Sequence, residues 1–278
     1  MKHIYLNLKR FDVPAESGGV NRLAPVQDWG SFIVEQTQEG LKKYDRGEAE
    51  FVQFLPEAHL LRAAAAKEEN SPVRLGCQGV YRENTSLGGN FGAFTTNRPA
   101  SAARALGCEA VLTGHCEERN DLKGILAEAG VADAAAVNRI LNREIKCALA
   151  EGLDVVYCIG ETAEEQPQWE AVLGGQLDTG LLGVDKSRVV IAYEPVWSIG
   201  PGKVPADSEY IAKIARFVKE RTGGMDIVYG GGLKAENAAM LAAIPEIDGG
   251  LIALTRFQGE IGFYPEEYLE IIRLYLGR

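Results

Sequence analysis

The 278-residue sequence predicts an α/β fold closed into an eight-stranded parallel (β/α)8 barrel. Three observations predict it: β-rich runs recur along the whole length, most are continuously apolar rather than alternating, and helical patterns lie between them. Continuous apolar runs suit parallel strands that are buried on both faces. An open doubly wound sheet is the rival arrangement for the same alternation.

The strands are expected at 3–6, 50–55, 73–78, 109–113, 154–158, 189–194, 226–229 and 250–254. Among the helices, Val137, Ile140, Leu141 and Ile145 share one face, and Gly152 stands where a helix would stop. Ile211, Ile214, Ala215 and Val218 form a second stripe, opened by Asp207 or Ser208 and closed by Gly223-Gly224. Pro265 is placed to start the last helix, which should carry Leu269 and Ile272 inward. No linker or charge block divides the chain, so one domain over 1–278 is expected. Two stretches read as long loops: 11–28, with two prolines and Gly18-Gly19, and 82–92, with Gly88-Gly89. Both follow a strand's C-terminal end, where barrel enzymes build their sites. A surface insertion without function is the plain alternative.

A hydrophobic content of 46% is enough for one large core. A net charge of −10 and a pI near 5.0 exclude the basic surface that nucleic acids or anionic membranes require. Five cysteines, Cys77, Cys108, Cys116, Cys147 and Cys158, form no short-spaced pairs. That argues against a disulfide framework or a zinc site and for a reducing compartment. Asn7, Lys9 and Arg10 interrupt the N-terminal apolar run, leaving no secretory core, and no stretch has the length of a membrane span. A cytoplasmic location is the expectation.

Polar residues collect where the apolar runs stop. Asn7 and Lys9 follow the first run, Gly114-His115-Cys116-Glu117 the fourth, Gly160-Glu161 the fifth, Glu194-Pro195-Val196-Trp197 the sixth and Gly230-Gly231-Gly232 the seventh. In a closed barrel these converge on one rim. A carboxylate, an imidazole and an ammonium gathered there suit proton transfer beside a carbonyl. Taken singly, each of the three reads as a solvated or structural residue; their order along the chain carries the argument.

That order resembles the triosephosphate isomerase family. Asn7-Leu8-Lys9 is similar to its Asn-x-Lys, Gly114-His115-Cys116-Glu117-Glu118-Arg119 to its Gly-His-Ser-Glu-Arg-Arg, and 192–203 to its base-plus-lid segment. Tyr229-Gly230-Gly231 and Asp248-Gly249 match its seventh and eighth strand ends. The resemblance implies a TIM barrel interconverting glyceraldehyde 3-phosphate and dihydroxyacetone phosphate through an enediol(ate). Glu194 would be the base, His115 the neutral electrophile and Lys9 the electrostatic stabiliser, the assignment established for this family. It also implies no cofactor or metal, a small phosphorylated sugar as substrate, and a homodimer. Asn7 would help bind substrate, Glu117 and Cys116 would support the site, and Gly160 and Glu161 would brace it. Cys116 stands for a serine of similar size, which reads as packing rather than a reactive thiol. A lid over 195–203 would hinge at Pro195-Val196 and flex at Gly200 and Gly202.

The phosphate grip departs from the family. Gly200 matches its lid glycine and Gly232 replaces a serine while keeping the amide. Where the family has Gly-Gly after strand eight, this chain reads Ala253-Leu254, and Arg256 nearby is a candidate for a replacement anion contact. Asn97 stands for a family glutamate and Glu118 for an arginine. Alternative readings are therefore an isomerase of a longer phosphorylated ketose, such as a tetrulose phosphate, or a catalytically silent barrel that binds a metabolite.

Overall fold

The computed structural model describes residues 1–200 and 203–277. Pro201 and Gly202, the latter an expected flexible point of the lid, lie outside them. The strands are β1 (Lys2–Asn7), β2 (Ala49–Leu55), β3 (Val73–Cys77), β4 (Ala110–Thr113), β5 (Asp154–Ile159), β6 (Val189–Tyr193), β7 (Ile227–Tyr229) and β8 (Gly249–Ile252). Each pairs in parallel with its neighbours in sequence, and β8 pairs back onto β1, so the sheet is a closed barrel. Between and around the strands run α1 (Trp29–Leu41), α2 (Glu57–Ala66), α3 (Ala100–Ala105), α4 (Cys116–Glu128), α5 (Ala134–Ala150), α6 (Trp169–Gly180), α7 (Ser208–Thr222), α8 (Ala238–Ala242) and α9 (Pro265–Leu276).

Strand parity explains why the runs read as unbroken apolar sequence. Tyr5, Val52, Phe54, Leu112, Val156, Cys158, Val228 and Leu251 pack together inside the barrel. Their neighbours Ile4, Leu6, Phe51, Leu75, Val111, Val155, Ile191 and Ile227 belong to a separate cluster shared with the helices. Both faces are therefore dry, and each fully buried aliphatic side chain contributes about 1.5–3 kcal/mol.

The helices end where the sequence says they should. The Asp133 carboxylate accepts the Ala136 N–H and opens α5, while Gly152 takes the left-handed φ of 71° that stops it. Asp207 does the same for the Tyr210 N–H at 2.7 Å, and Gly223, at φ 80°, closes α7. In α9 the inward stripe is Tyr268, Ile271, Ile272 and Tyr275. Leu269 sits half-buried on its flank against Gly40, so the expectation that it points inward is only partly met. Among the described residues no helix is long and apolar enough to cross a membrane.

Strand ends differ from the expected ones by a residue or two. β3 stops at Cys77, leaving Gln78 on the rim, and β6 stops at Tyr193, placing Glu194 just beyond it. β8 ends at Ile252 because its ladder to β1 ends at the Leu6–Ile252 pair, so Ala253 and Leu254 lie outside the sheet. The 11–28 stretch is irregular apart from 3-10 turns at Ala15–Ser17 and Val26–Asp28. It is pinned by Asp12, whose buried carboxylate meets the equally buried His59 at 3.1 Å. The second loop is longer than expected: 78–99 contains no helix or strand.

The barrel's other end is closed by charge. His3 bridges Glu50 at 2.6 Å and Asp226 at 2.9 Å, and Tyr5 and Arg74 also donate to Glu50 at 2.7 Å each. Arg74 continues to Asp154, which Arg188 meets at 2.7 Å.

Candidate active site

The rim is built from strand ends outward. Asn7 closes β1 and its Oδ1 accepts the Lys9 N–H at 3.1 Å. This Asx-type turn leaves Lys9 at φ 41°, the single left-handed non-glycine among the described residues. Gln78, at the end of β3, donates to the Lys9 carbonyl at 3.0 Å and to Asn7 Oδ1 at 3.3 Å. The strained turn is thereby held from the neighbouring strand. Lys9 Nζ reaches Glu117 Oε1 at 2.7 Å. That ion pair lies on the solvent side, with the Glu117 side chain 66% exposed, rather than being buried.

After β4 the chain turns directly into α4. His115 caps that helix, its Nδ1 accepting the Glu117 N–H at 3.3 Å. An accepting Nδ1 leaves Nε2 as the ring's donor. Nε2 lies 3.1 Å from Glu194 Oε1. The expected helix start at Cys116 is thus present, and it aims the ring at the carboxylate. Arg119 bolts this turn to β5, donating to the Gly114 carbonyl at 2.8 Å and the Cys158 carbonyl at 2.8 Å.

Glu194 is 2% exposed, and its Oε2 accepts the Cys116 N–H at 2.9 Å. Burial pushes its carboxyl up, against the pull of His115 and of that N–H. The backbone behind it permits no bulk: a Cβ on Gly160 would stand 2.0 Å from the Glu194 carbonyl oxygen, so only glycine fits. Glu161, fully buried, takes hydrogen bonds from Tyr193 (2.9 Å), Trp197 (2.9 Å) and Tyr210 (3.1 Å). Trp197 lies in the 3-10 turn Val196–Ser198 right after the base, so Glu161 anchors the near end of the lid segment.

A cavity of about 400 Å³ opens on the Lys9 and His115 side of these groups, lined by Asn7, Lys9, Arg10, Phe11, Gln78, Leu112, His115, Glu117 and Glu118. The structure therefore brings Asn7, Lys9, His115, Cys116, Glu117 and Glu194 together. Gly200 stands exposed at φ 117° and Gly232 adopts φ 98° next to the Lys234 side chain. Ala253 and Leu254 are half-buried past β8. Arg256 is turned away onto α9, 2.8 Å from Glu267 and stacked on Tyr264, which does not match its expected role as an anion contact.

Sequence reasoning missed Gln78 and Glu144, and noted Glu118 only as a replaced arginine. Gln78 carried the same signal as the others, a polar residue at a strand's end. Glu118 accepts the Gly114 N–H at 2.6 Å and faces Glu144 of α5, a residue without any local signal.

A family model described as triosephosphate isomerase matches residues 30–273. A triosephosphate isomerase of Chlorobium phaeobacteroides is 41% identical over 173 residues, which span 58% of this chain and 64% of that protein. One from Chloroherpeton thalassium is 33% identical over 218 residues, 74% of this chain and 77% of that protein. The crystal structure of triosephosphate isomerase from Bartonella henselae superposes with a TM-score of 0.72 at 22% identity, covering 99% of this chain and 98% of that one, a likeness of fold. With the family model covering most of its length, this chain belongs to the triosephosphate isomerase family.

Proposed function

We propose that this protein interconverts glyceraldehyde 3-phosphate and dihydroxyacetone phosphate by proton transfer through an enediolate. Glu194 removes the proton next to the carbonyl, His115 polarises the carbonyl oxygen through its Nε2–H, and Lys9 stabilises the negative charge that develops. The observation that carries this reading is the buried Glu194 carboxylate, 3.1 Å from the His115 imidazole, which lines a cavity together with Lys9. A carboxyl raised by burial is a better base than a solvated one. We further propose that the protein works as a homodimer joined through the projecting 78–99 segment, whose Leu87 and Phe91 stand exposed.

A longer phosphorylated ketose, of the tetrulose phosphate kind, is the second reading. It is favoured by Ala253-Leu254, which put side chains where glycines would leave room for a phosphate. A coupled steady-state assay with both triose phosphates and a tetrulose phosphate separates the two. Glu194→Gln, measured alongside, should lower kcat by about 10²–10⁴-fold, the usual contribution of a general base. Turnover of the tetrulose phosphate alone would transfer the assignment to the second reading. Turnover unaffected by the substitution would remove Glu194 from the role of base.

A further inference from the structure

The sulfur at position 116 changes what the floor of this site binds. An imidazole nitrogen of His115, the Cys116 thiol and a carboxylate oxygen of Glu194 all lie within 4.8 Å of one another. Cys116 Sγ is 3.8 Å from His115 Nδ1, and Glu194 Oε1 is 3.1 Å from His115 Nε2. Tetrahedral zinc, with bonds of about 2.0–2.3 Å, places its ligand atoms roughly 3.3–3.6 Å apart. Drawing donors that lie up to 4.8 Å apart onto one ion, through a single nitrogen of His115, therefore takes side-chain adjustments of roughly 1–1.5 Å.

We propose that His115, Cys116 and Glu194 chelate a thiophilic divalent cation, of the zinc or cadmium class, which occupies the reaction centre and shuts it. One thiolate and one carboxylate cancel the charge of a dication, so the loaded site is neutral where burial penalises any net charge. An oxygen in place of the sulfur would leave a hard, weak donor set; the thiolate selects a soft metal. Of the three donors His115 lines the cavity, which gives an ion a path to that side of the cluster. Loading breaks the Cys116 S–H bond, forms a sulfur–metal bond and sends one proton to solvent. His115 binds through either nitrogen, since a tautomer exchange moves no net proton. The cysteine spacing argued against a zinc site because it looked for a Cys-only framework; here the donors are of three kinds and come from two strand ends.

The test is a cadmium titration of the full chain, followed by the ultraviolet charge-transfer absorbance of the cadmium–thiolate bond. It reads binding directly and stands whether or not the isomerase reading does. One saturable ion per chain is expected; equilibrium dialysis should show cadmium affinity weakened about 100-fold or more in both Cys116→Ser, which also loses the band, and Glu194→Gln, and unchanged in Cys147→Ser, with zinc displacing cadmium. Circular dichroism verifies that each variant is folded, and Cys116→Ala takes the place of the serine variant should that one unfold. A wild-type protein without a saturable thiolate band at millimolar cadmium overturns the proposal. So does a folded Cys116 variant that binds as tightly as the wild type.

Discussion

At the scale of single residues, the site rests on a carboxyl pair that does no chemistry in the proposed reaction. Glu118 accepts the Gly114 N–H, one residue before the histidine, and Glu144 sits against it, 6% exposed with one oxygen lacking a partner. Burial and then the neighbouring Glu118 push Glu144 up to about 10. The pair therefore shares a proton at neutral pH, Glu144 holding it for Glu118. A raised carboxyl keeps in the folded state a proton that the unfolded chain releases, so it costs stability progressively as pH climbs from about 4.5 toward 10. Glu144→Gln retains the donor without the titration. Its melting temperature should exceed that of the wild type by a margin that widens from pH 5 to pH 9 in paired thermal scans, and a constant margin would contradict the shared proton. Lys9, His115 and Glu194 were legible because a strand's last residue has a known address in a barrel. Glu144 was not, since a glutamate in mid-helix looks the same whether it faces water or another carboxylate.

At the scale of elements, the loops after β1 and β3 are built differently. The first is tied down by the buried Asp12–His59 pair and by Asn21, whose side chain donates to the Asp12 and Ala24 carbonyls. The second is tied along its flanks, where the Tyr81 N–H meets the Arg98 carbonyl at 2.7 Å, Thr85 bonds Ser101 at 2.8 Å, and Glu83 and Asn84 reach Arg143 and Glu151. Its tip presents Leu87 and Phe91 to solvent, two large apolar side chains that an isolated surface does not favour. Replacing both by serine should move the protein from dimer to monomer in sedimentation velocity at micromolar concentration. A wild type that already sediments as a monomer would end the proposal. Helix spans and caps were readable from the sequence because Asp, Pro and Gly act locally. The length of the second loop was not, because 93–98 holds no glycine or proline and only Pro99 marks where the next helix begins.

At the scale of the whole molecule, the charged base of the barrel sets a pH window. Burial lowers the His3 pKa, but the hydrogen bonds to Glu50 and Asp226 prevail and leave it above its usual 6.5. Burial raises Glu50, yet His3 and Tyr5 hold it down at about 2. The histidine's contribution is complete below pH 6.5 and fades as pH rises through its folded value. The contribution of Glu50 is complete above pH 4.5 and fades as pH falls toward 2. Urea midpoints of His3→Gln against wild type should therefore differ most between about pH 5 and 6.5 and converge at alkaline pH; a gap independent of pH would assign His3 a packing role only. The closure described above has a consequence in time. Neighbouring strands such as β1 and β2 pair His3 with Glu50, whereas the final seam pairs His3 with Gly249 across nearly the whole chain. Closing the longer loop costs about 1.5 kcal/mol more chain entropy than closing the shorter one, so β1 and β8 should zip last on refolding. Asn7 ends the strand that the seam seats and Lys9 follows it, so helical signal should return before the rim that gathers Asn7, Lys9 and His115 is complete.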